Sequence, residues 1–317
     1  MSVLTKQAPG AAAKLAAPGR GKPKKGLSRR TNQRSGYLFL LPWFIGMLFT
    51  IIPFFASLYL AFTDYNLFTE PNFVGLANFQ AMFEDPRLLQ SLKVTFIYTF
   101  VSVPISLAVA LLIALVLNRG LSALPIYRSV YYLPSLLGGS VAIVMLWRYI
   151  FGNDGIVNGF LGLFGIQGPA WVTDPEFALS TLIVLNVWTF GSPMVIFLAG
   201  LRQVPSMYYE AASIDGASRW RQFRGITLPL ISPIIFFNLI MQLIGSFQTF
   251  TQGYVMSGGT GGPADSTLFY NLYLYQKGFT EFEMGYASAM AWLLLMIIAI
   301  FTAINFIASK FWVFYDN

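Results

Sequence analysis

Long apolar segments alternate along the chain with shorter polar segments that carry most of the charged residues. A helix of about 20 apolar residues is long enough to cross the hydrocarbon core of a bilayer. Segments of this length predict six membrane-spanning helices. They cover residues 38–62, 94–117, 124–150, 178–200, 227–250 and 286–309. The pattern therefore predicts an all-α polytopic membrane protein, with residues 37–317 as its transmembrane domain.

The first 36 residues differ from the rest, because they are rich in Ala, Gly, Pro and basic residues and show no apolar periodicity. Nine of the 20 basic residues lie before Ser35, and no acidic residue does. This composition predicts a disordered tail over residues 1–36. A basic segment beside a membrane span is typical of a cytoplasmic tail that faces anionic lipid headgroups. A signal peptide is not predicted, because the apolar segment that follows is long enough to span and no cleavage site ends it.

The charges of the connecting loops predict the orientation of the spans. Basic residues outnumber acidic ones in loops 118–123 and 201–226 and near the end of the chain, at Lys310. Acidic residues predominate in loops 64–93, 151–177 and 251–285. Cytoplasmic loops of membrane proteins carry an excess of Lys and Arg. The alternation therefore predicts that both termini are cytoplasmic.

Composition excludes several other classes of function. Only 10% of the residues are charged, whereas about 25% is usual for soluble domains. The chain contains no Cys and no His, which removes disulfides, thiol nucleophiles, the usual zinc ligands and the commonest general base. An enzyme active site, a bound metal and a cofactor are therefore not predicted. The net charge of +7 comes largely from the tail and does not indicate nucleic-acid binding.

Loop 201–226 has an unusual pattern for a membrane-protein connection. Ser206 and Glu210 predict the start of a short helix, since Ser is a favoured cap and Glu favours an early turn. Gly216 is suited to end that helix, because glycine accepts a left-handed backbone. A second short helix is predicted around Trp220. The loop thus predicts two short amphipathic helices on the inner face of the membrane, bent at a glycine.

The spacing of this loop identifies a family. Glu210-Ala211-Ala212, three residues, Gly216, nine residues and then Ile226-x-Leu228-Pro229 resembles the EAA loop of ABC importer permeases. Further motifs resemble the carbohydrate branch of that family. They are Phe73-Val74-Gly75-Leu76-x-Asn78-Phe79, Asp85-Pro86, Pro169-Ala170-Trp171, Asp174-Pro175, Trp188-x-x-Gly191-x-Pro193 and Gly258-Gly259-Thr260-Gly261-Gly262-Pro263. The resemblance covers residues 37–317, although the two extra spans and the large outer domain of the maltose-type member are absent here.

The resemblance implies a location in the inner membrane of a bacterium and a set of partners. The partners are a second, similar permease, two ATPase subunits, an extracytoplasmic solute-binding protein and a sugar substrate. The chain has no Gly-x-x-x-x-Gly-Lys-Ser/Thr phosphate loop, so ATP would be hydrolysed by the ATPase subunits. The resemblance implies that the helix carrying Glu210, Ala211, Ala212, Asp215 and Gly216 sits in a groove of an ATPase subunit and moves with it. The alternative is a loop that is merely solvated.

Polar and aromatic residues in spans four to six are candidates for the solute pathway, because intramembrane polar groups usually face the interior of a bundle. The candidates are Asn186, Trp188, Ser192, Asn238, Gln242, Ser246, Gln248, Thr249, Trp292 and Asn305. Gln242, Ser246 and Thr249 are spaced to share one helical face. The resemblance to maltose-type permeases implies a lining role for these three and adds Gly191 and Met194. The alternative is that these side chains only join neighbouring helices.

The class of solute follows from charge. Residues 226–276 contain no Lys or Arg that could hold a phosphate or a carboxylate, which favours a neutral sugar or oligosaccharide. A permease for a glycerol-phosphate-type solute or another polyol remains an alternative, because the partner permease could supply a cation. A secondary transporter is a more distant alternative. It would be expected to carry carboxylates within its spans, and the predicted spans contain none.

Overall fold

The computed structural model of the protein describes residues 33–120 and 123–314. The predicted tail lies outside the described residues up to position 32. The first helix begins at Gln33, so it includes the last four residues of the range 1–36 that the sequence assigned to the tail. A helix satisfies its backbone hydrogen bonds internally, and it can therefore extend past the end of the apolar segment into polar residues.

The described residues form helices joined by turns, apart from one isolated bridge between Thr63 and Phe73. The helices are α1 Gln33–Leu60, α2 Ala77–Glu84, α3 Pro86–Leu117, α4 Leu124–Leu137, α5 Val141–Ile150, α6 Ile156–Gly162, α7 Pro175–Trp188, α8 Gly191–Leu201, α9 Ser206–Ile214, α10 Arg219–Gln222, α11 Leu228–Phe247, α12 Thr251–Ser257, α13 Tyr270–Tyr275 and α14 Met284–Trp312. Two π-helical turns, Phe223–Thr227 and Gln276–Thr280, and a 3₁₀ turn, Pro263–Asp265, complete the described elements. The predicted all-α class is confirmed.

Five segments of the described residues are long and apolar enough to cross a membrane. They are Phe39–Leu60, Pro86–Leu117, Pro175–Leu201, Arg219–Ser257 and Met284–Trp312. They correspond to five of the six predicted spans. The remaining span, predicted over residues 124–150, is not one straight helix, because α4 and α5 meet at a bend of 98°.

The bend between α4 and α5 has a local cause. Gly138 and Gly139 follow α4, and glycine weakens a helix because it has the greatest backbone freedom to lose. Ser140 then takes an extended backbone and its hydroxyl accepts a hydrogen bond from the amide of Ile143, at 3.3 Å, which caps α5. A break of three residues thus divides an apolar segment whose length alone predicts a single helix.

Within residues 53–314, α3 is the central helix and packs against α7, α8 and α11. Tyr98 and the aromatic rings of Phe247 and Phe269 belong to one buried apolar cluster. A second cluster, with Ala110 and Met194, joins the other half of α3 to α8 and α11. Small residues on α3 allow the neighbouring helices to approach closely, as is usual in membrane bundles.

A polar network anchors the start of α3. One oxygen of Asp85 accepts hydrogen bonds from the hydroxyl groups of Tyr273 and Tyr286, each at 2.7 Å. The other oxygen accepts from the amides of Arg87 and Leu88 and so caps the helix. Burial raises the pKa of Asp85, but the four hydrogen bonds outweigh it and leave the pKa below its ordinary value. The carboxylate therefore fastens α3 to α13 and α14.

The same network contains an ion pair between elements far apart in the chain. Both Nε and Nη2 of Arg87 donate to the carboxylate of Asp265, each at 3.0 Å. This two-point geometry is the strongest arrangement open to an Arg–carboxylate pair. It holds the turn after α12 against α3.

Candidate functional site

A cavity of about 390 Å³ lies between α3, α7, α8, α11 and α12 and the bend that joins α4 to α5. Its lining residues are Tyr98, Ser135, Gly138, Gly139, Leu185, Asn186, Thr189, Ser192, Pro193, Ile196, Phe237, Asn238, Met241, Gln242, Gly245 and Gln252. None of these described residues is charged. The wall combines amides and hydroxyl groups with apolar and aromatic surface, which is the usual chemistry of a site for a polar uncharged ligand.

The amides of the lining differ in how well they are satisfied. Gln242 donates to the hydroxyl of Ser106 at 3.3 Å, and Asn238 donates to the carbonyl of Ile234 at 3.2 Å. The side-chain nitrogen of Asn186, by contrast, is buried and has no partner among the described residues. A buried donor without an acceptor costs free energy. Asn186 is therefore the side chain in this wall with most to gain from a ligand hydroxyl.

The hydroxyl group of Ser135, near the end of α4, binds the start of α8. Ser135 donates to the carbonyl of Thr189 at 2.8 Å and accepts from the amide of Ser192, also at 2.8 Å. Gly191 lies at the same crossing, where an added Cβ would come within 2.7 Å of the Cα of Tyr132. The close approach of α4 and α8 depends on this glycine, and it fixes the position of Ser192 in the wall.

The structure does not bring the six predicted pathway residues together. Gln242 lines the cavity, whereas Ser246 and Thr249 are buried and are not among the lining residues. The shared face predicted for these three fails at Thr249 because α11 ends at Phe247. A helical spacing rule has no meaning beyond the last residue of the helix.

The other three predicted pathway residues also lie outside the lining. Trp188 packs against Trp147, with the ring centroids 5.4 Å apart. Met194 is fully buried in the apolar cluster around α3, and Gly191 is in the crossing described above. Of the wider set of candidates, Asn186, Ser192 and Asn238 line the cavity. Gln248, Trp292 and Asn305 do not.

Some lining residues were missed by the sequence analysis. Ser135, Gly138 and Gly139 belong to a segment that was predicted as a single span, and Gln252 follows the end of α11. Two adjacent glycines followed by a serine are a recognisable signal for a helix break. This signal predicts the position of the bend between α4 and α5, and with it this part of the cavity wall.

The second feature of interest is the loop around α9. This helix ends in a Schellman motif, in which the amide of Ala217 donates to the carbonyl of Ala212 at 2.9 Å and that of Gly216 to Ser213 at 3.1 Å. Gly216 has φ of +72°, so the left-handed residue lies where the sequence predicted it. The predicted cap is wrong. Ser206 is the first helical residue, Pro205 precedes it, and no side chain caps this end.

The predicted second short helix is also corrected. α10 continues through the π-helical turn Phe223–Thr227 into α11, so the loop leads directly into the fifth span. Pro229 explains why a regular α-helix does not run through this point. Its ring would clash with the carbonyl four residues earlier, and a wider turn relieves the clash.

Two side-chain contacts fix α9 against this continuous helix. The hydroxyl groups of Tyr209 and Thr227 are 2.9 Å apart and form a hydrogen bond, and Thr227 is buried. The side-chain amide of Gln222 donates to the hydroxyl of Ser213 at 3.0 Å and to the carbonyl of Ala217 at 3.2 Å. α9 is therefore joined to the helix whose far half lines the cavity.

The opposite face of α9 is exposed. Met207, Glu210, Ala211 and Ile214 follow the spacing of one helical face, and Met207 and Ile214 are 65% and 87% exposed. Two large apolar side chains with small and acidic residues between them form a stripe that no described residue covers. We call this set the α9 stripe. Asp215 lies at the end of the helix, beside Gly216.

Comparison with known proteins decides the family. Residues 73–312 match the family described as the inner membrane component of binding-protein-dependent transport systems. The chain belongs to this family. The resemblance to ABC importer permeases that the EAA loop indicated is thereby confirmed, and the protein is a membrane-embedded permease subunit.

Relatives of this permease cover nearly its whole length. The probable ABC transporter permease protein YesP of Bacillus subtilis is 53% identical over 297 residues, which cover 93% of this chain and 96% of the relative. The lactose transport system permease protein LacF of Rhizobium radiobacter is 33% identical, with 87% and 94% covered. Several other relatives are also named for the transport of sugars, including arabinooligosaccharides.

A solved structure shares the fold of the permease. It is a bacterial ABC transporter involved in the import of the acidic polysaccharide alginate, and one of its chains superposes with a TM-score of 0.74 at 23% identity. The match covers 88% of this chain and 96% of that chain. The predicted fold of ABC importer permeases is confirmed.

Proposed function

We propose that this permease carries a sugar or an oligosaccharide across the bacterial cytoplasmic membrane, driven by ATP that partner subunits hydrolyse. The observation that supports this most is the cavity, whose lining offers amides and hydroxyl groups but no charge. Sugar hydroxyl groups pair with such groups, and the exposed ring of Phe237 offers apolar surface to a sugar ring. The names of the relatives point to the same class of solute.

The partners in this proposal are those that the family resemblance implies. A second, similar permease completes the pathway, an extracytoplasmic protein delivers the solute, and two ATPase subunits bind on the cytoplasmic side. Both termini are then cytoplasmic. Loop 201–226, which carries four arginines and two acidic residues, faces the same side, in agreement with the charge rule for loops.

The α9 stripe is the surface through which the ATPase acts in this proposal. Ala211 permits close approach, with the small Ala212 beside it, Glu210 offers a carboxylate, and Met207 and Ile214 offer apolar area. The hydrogen bond between Tyr209 and Thr227 supports the transfer of motion, because it joins α9 to the helix that reaches Gln242 in the cavity wall. Gly216 ends α9 in a conformation that a side chain would resist.

Transport by the reconstituted complex tests the cavity. Gln242→Leu and Asn186→Leu each remove a hydrogen-bonding amide while keeping the volume of the side chain. One hydrogen bond contributes roughly 0.5–1.5 kcal/mol, so uptake at limiting solute concentration is expected to fall about two- to tenfold. Asn305→Leu is the matched control, since this amide donates to the carbonyl of Phe301 and lies outside the cavity. Equal uptake by all three variants and the wild type would remove the cavity from the pathway.

A further inference from the structure

A second cleft, of about 580 Å³, lies beside the cavity between α4 and α8. It is lined by Pro125, Arg128, Ser129, Tyr132, Ser192, Val195 and Ile196. Ser192 and Ile196 belong to the walls of both the cavity and the cleft. The cavity and the cleft therefore share part of one wall, on α8.

Arg128 is the charged residue of this cleft. It lies in α4, whose other described residues carry no charge. Among the residues that the structure describes, its side chain is exposed and forms neither an ion pair nor a hydrogen bond with another side chain. Arg128 lies near the start of α4, beside loop 118–123, whose basic charge predicts a cytoplasmic position. The cleft is therefore expected on the cytoplasmic side, where a transported solute leaves.

The groups around Arg128 suit one class of ligand. A guanidinium binds a carboxylate through two parallel hydrogen bonds, which fixes both position and orientation. The ring of Tyr132 offers a flat apolar surface for a sugar, and the hydroxyl groups of Ser129 and Ser192 offer partners for sugar hydroxyls. Carboxylate and hydroxyl groups occur together in sugar acids.

We propose that Arg128 binds the carboxylate of an acidic sugar unit as an oligosaccharide passes from the cavity into the cleft. This inference rests on the proposed function and adds the class of solute to it. The expectation of a neutral solute came from the lack of Lys and Arg in residues 226–276. The cation comes instead from α4, which packs against α8 from another part of the chain.

The test compares two solutes in the complete transporter, reconstituted in vesicles with its binding protein. One is a short hexuronate oligosaccharide, and the other is the same oligosaccharide with its carboxyl groups reduced to alcohols. Arg128→Gln is expected to lower uptake of the acidic form about tenfold or more at limiting concentration and to change uptake of the neutral form less than about twofold. Arg128→Lys keeps the charge but not the two-point hydrogen bonding of a guanidinium, so its uptake of the acidic form is expected to lie between that of the wild type and that of Arg128→Gln. Arg148→Gln, in α5, is the matched control and should behave as the wild type.

Each other outcome overturns the inference. Equal losses for both solutes would mean that Arg128 has a structural role or binds a lipid phosphate. Vesicles of neutral lipid identify the lipid case, because they would reproduce the loss in the wild type. Uptake of only the neutral form by the wild type would refute the acidic unit while leaving the proposed function intact. Uptake of neither form, with ATPase activity present, would refute the acidic unit, and uptake of other sugars would then decide the proposed function separately.

Discussion

Replacement of Asp85 by Ala tests the network that anchors α3. The change removes the acceptor of two hydroxyl groups, those of Tyr273 and Tyr286, which are buried. Each hydroxyl left without a partner costs about 1–3 kcal/mol, and loss of a helix cap costs about 1 kcal/mol. Because Asp85 is itself only half-buried, the lower part of each range applies. The free energy of unfolding is expected to fall by about 3–5 kcal/mol.

The free energy of unfolding can be measured by titrating the purified protein in bicelles with a denaturing detergent. Asp85→Asn keeps a capping side chain and one acceptor oxygen, so its free energy of unfolding should lie between those of the wild type and Asp85→Ala. Asp64→Ala is the control, since that carboxylate accepts from Asn72 on the exposed surface, and its loss should be much smaller. A loss for Asp85→Ala no larger than that of the control would show that the network does not anchor α3.

The same carboxylate predicts a dependence on pH. Hydrogen bonds hold the pKa of Asp85 below its ordinary value of 3.8, so the folded state binds this proton less readily than the unfolded state. The stabilisation is then fully present above the ordinary value and is lost as the pH falls through the lower folded value. Wild-type stability should therefore decline more steeply below pH 4 than that of Asp85→Asn.

Two further predictions concern the loop around α9 and the topology. Gly216→Val forces a branched side chain to φ of +72° and should lower both solute-stimulated ATP hydrolysis and uptake. Gly162→Val, at an ordinary φ and in open space, is the control and should change neither. Unchanged ATP hydrolysis in Gly216→Val would exclude α9 from coupling. In this chain without Cys, single cysteines at the exposed positions Asn153 and Thr260 should react with an impermeant label from outside, and one at Ser218 should not. Labelling of all three from one side would refute the orientation.

The sequence predicted the apolar helices well because length and hydropathy are local properties. It predicted one span over residues 124–150 because the segment is long and mostly apolar. The structure bends there because Gly138, Gly139 and the cap at Ser140 give the backbone a better local solution than one helix. Here three residues that favour a helix break, Gly138, Gly139 and Ser140, outweighed the apolar composition of the 27-residue segment.

The cavity was harder to predict than the helices. Periodicity identifies which residues share a face, but not which face meets a cavity or where the helix ends. Gln242 lines the cavity while Thr249 is buried beyond the end of α11, and only the packing of α3, α8 and α11 decides between them. The left-handed residue Gly216, in contrast, was predictable because a helix end depends on its own few residues.

The π-helical turn Phe223–Thr227 has a geometric consequence for the whole fifth span. A π-helical turn closes over one more residue than an α-helical turn, and each residue of an α-helix rotates the side chain by about 100°. Regular α-helical pitch over the same five residues, without a deletion, would leave both halves of the helix intact but turn them against each other by about that angle. The turn therefore sets the angular register between the end of the helix that is joined to α9 and the end that lines the cavity.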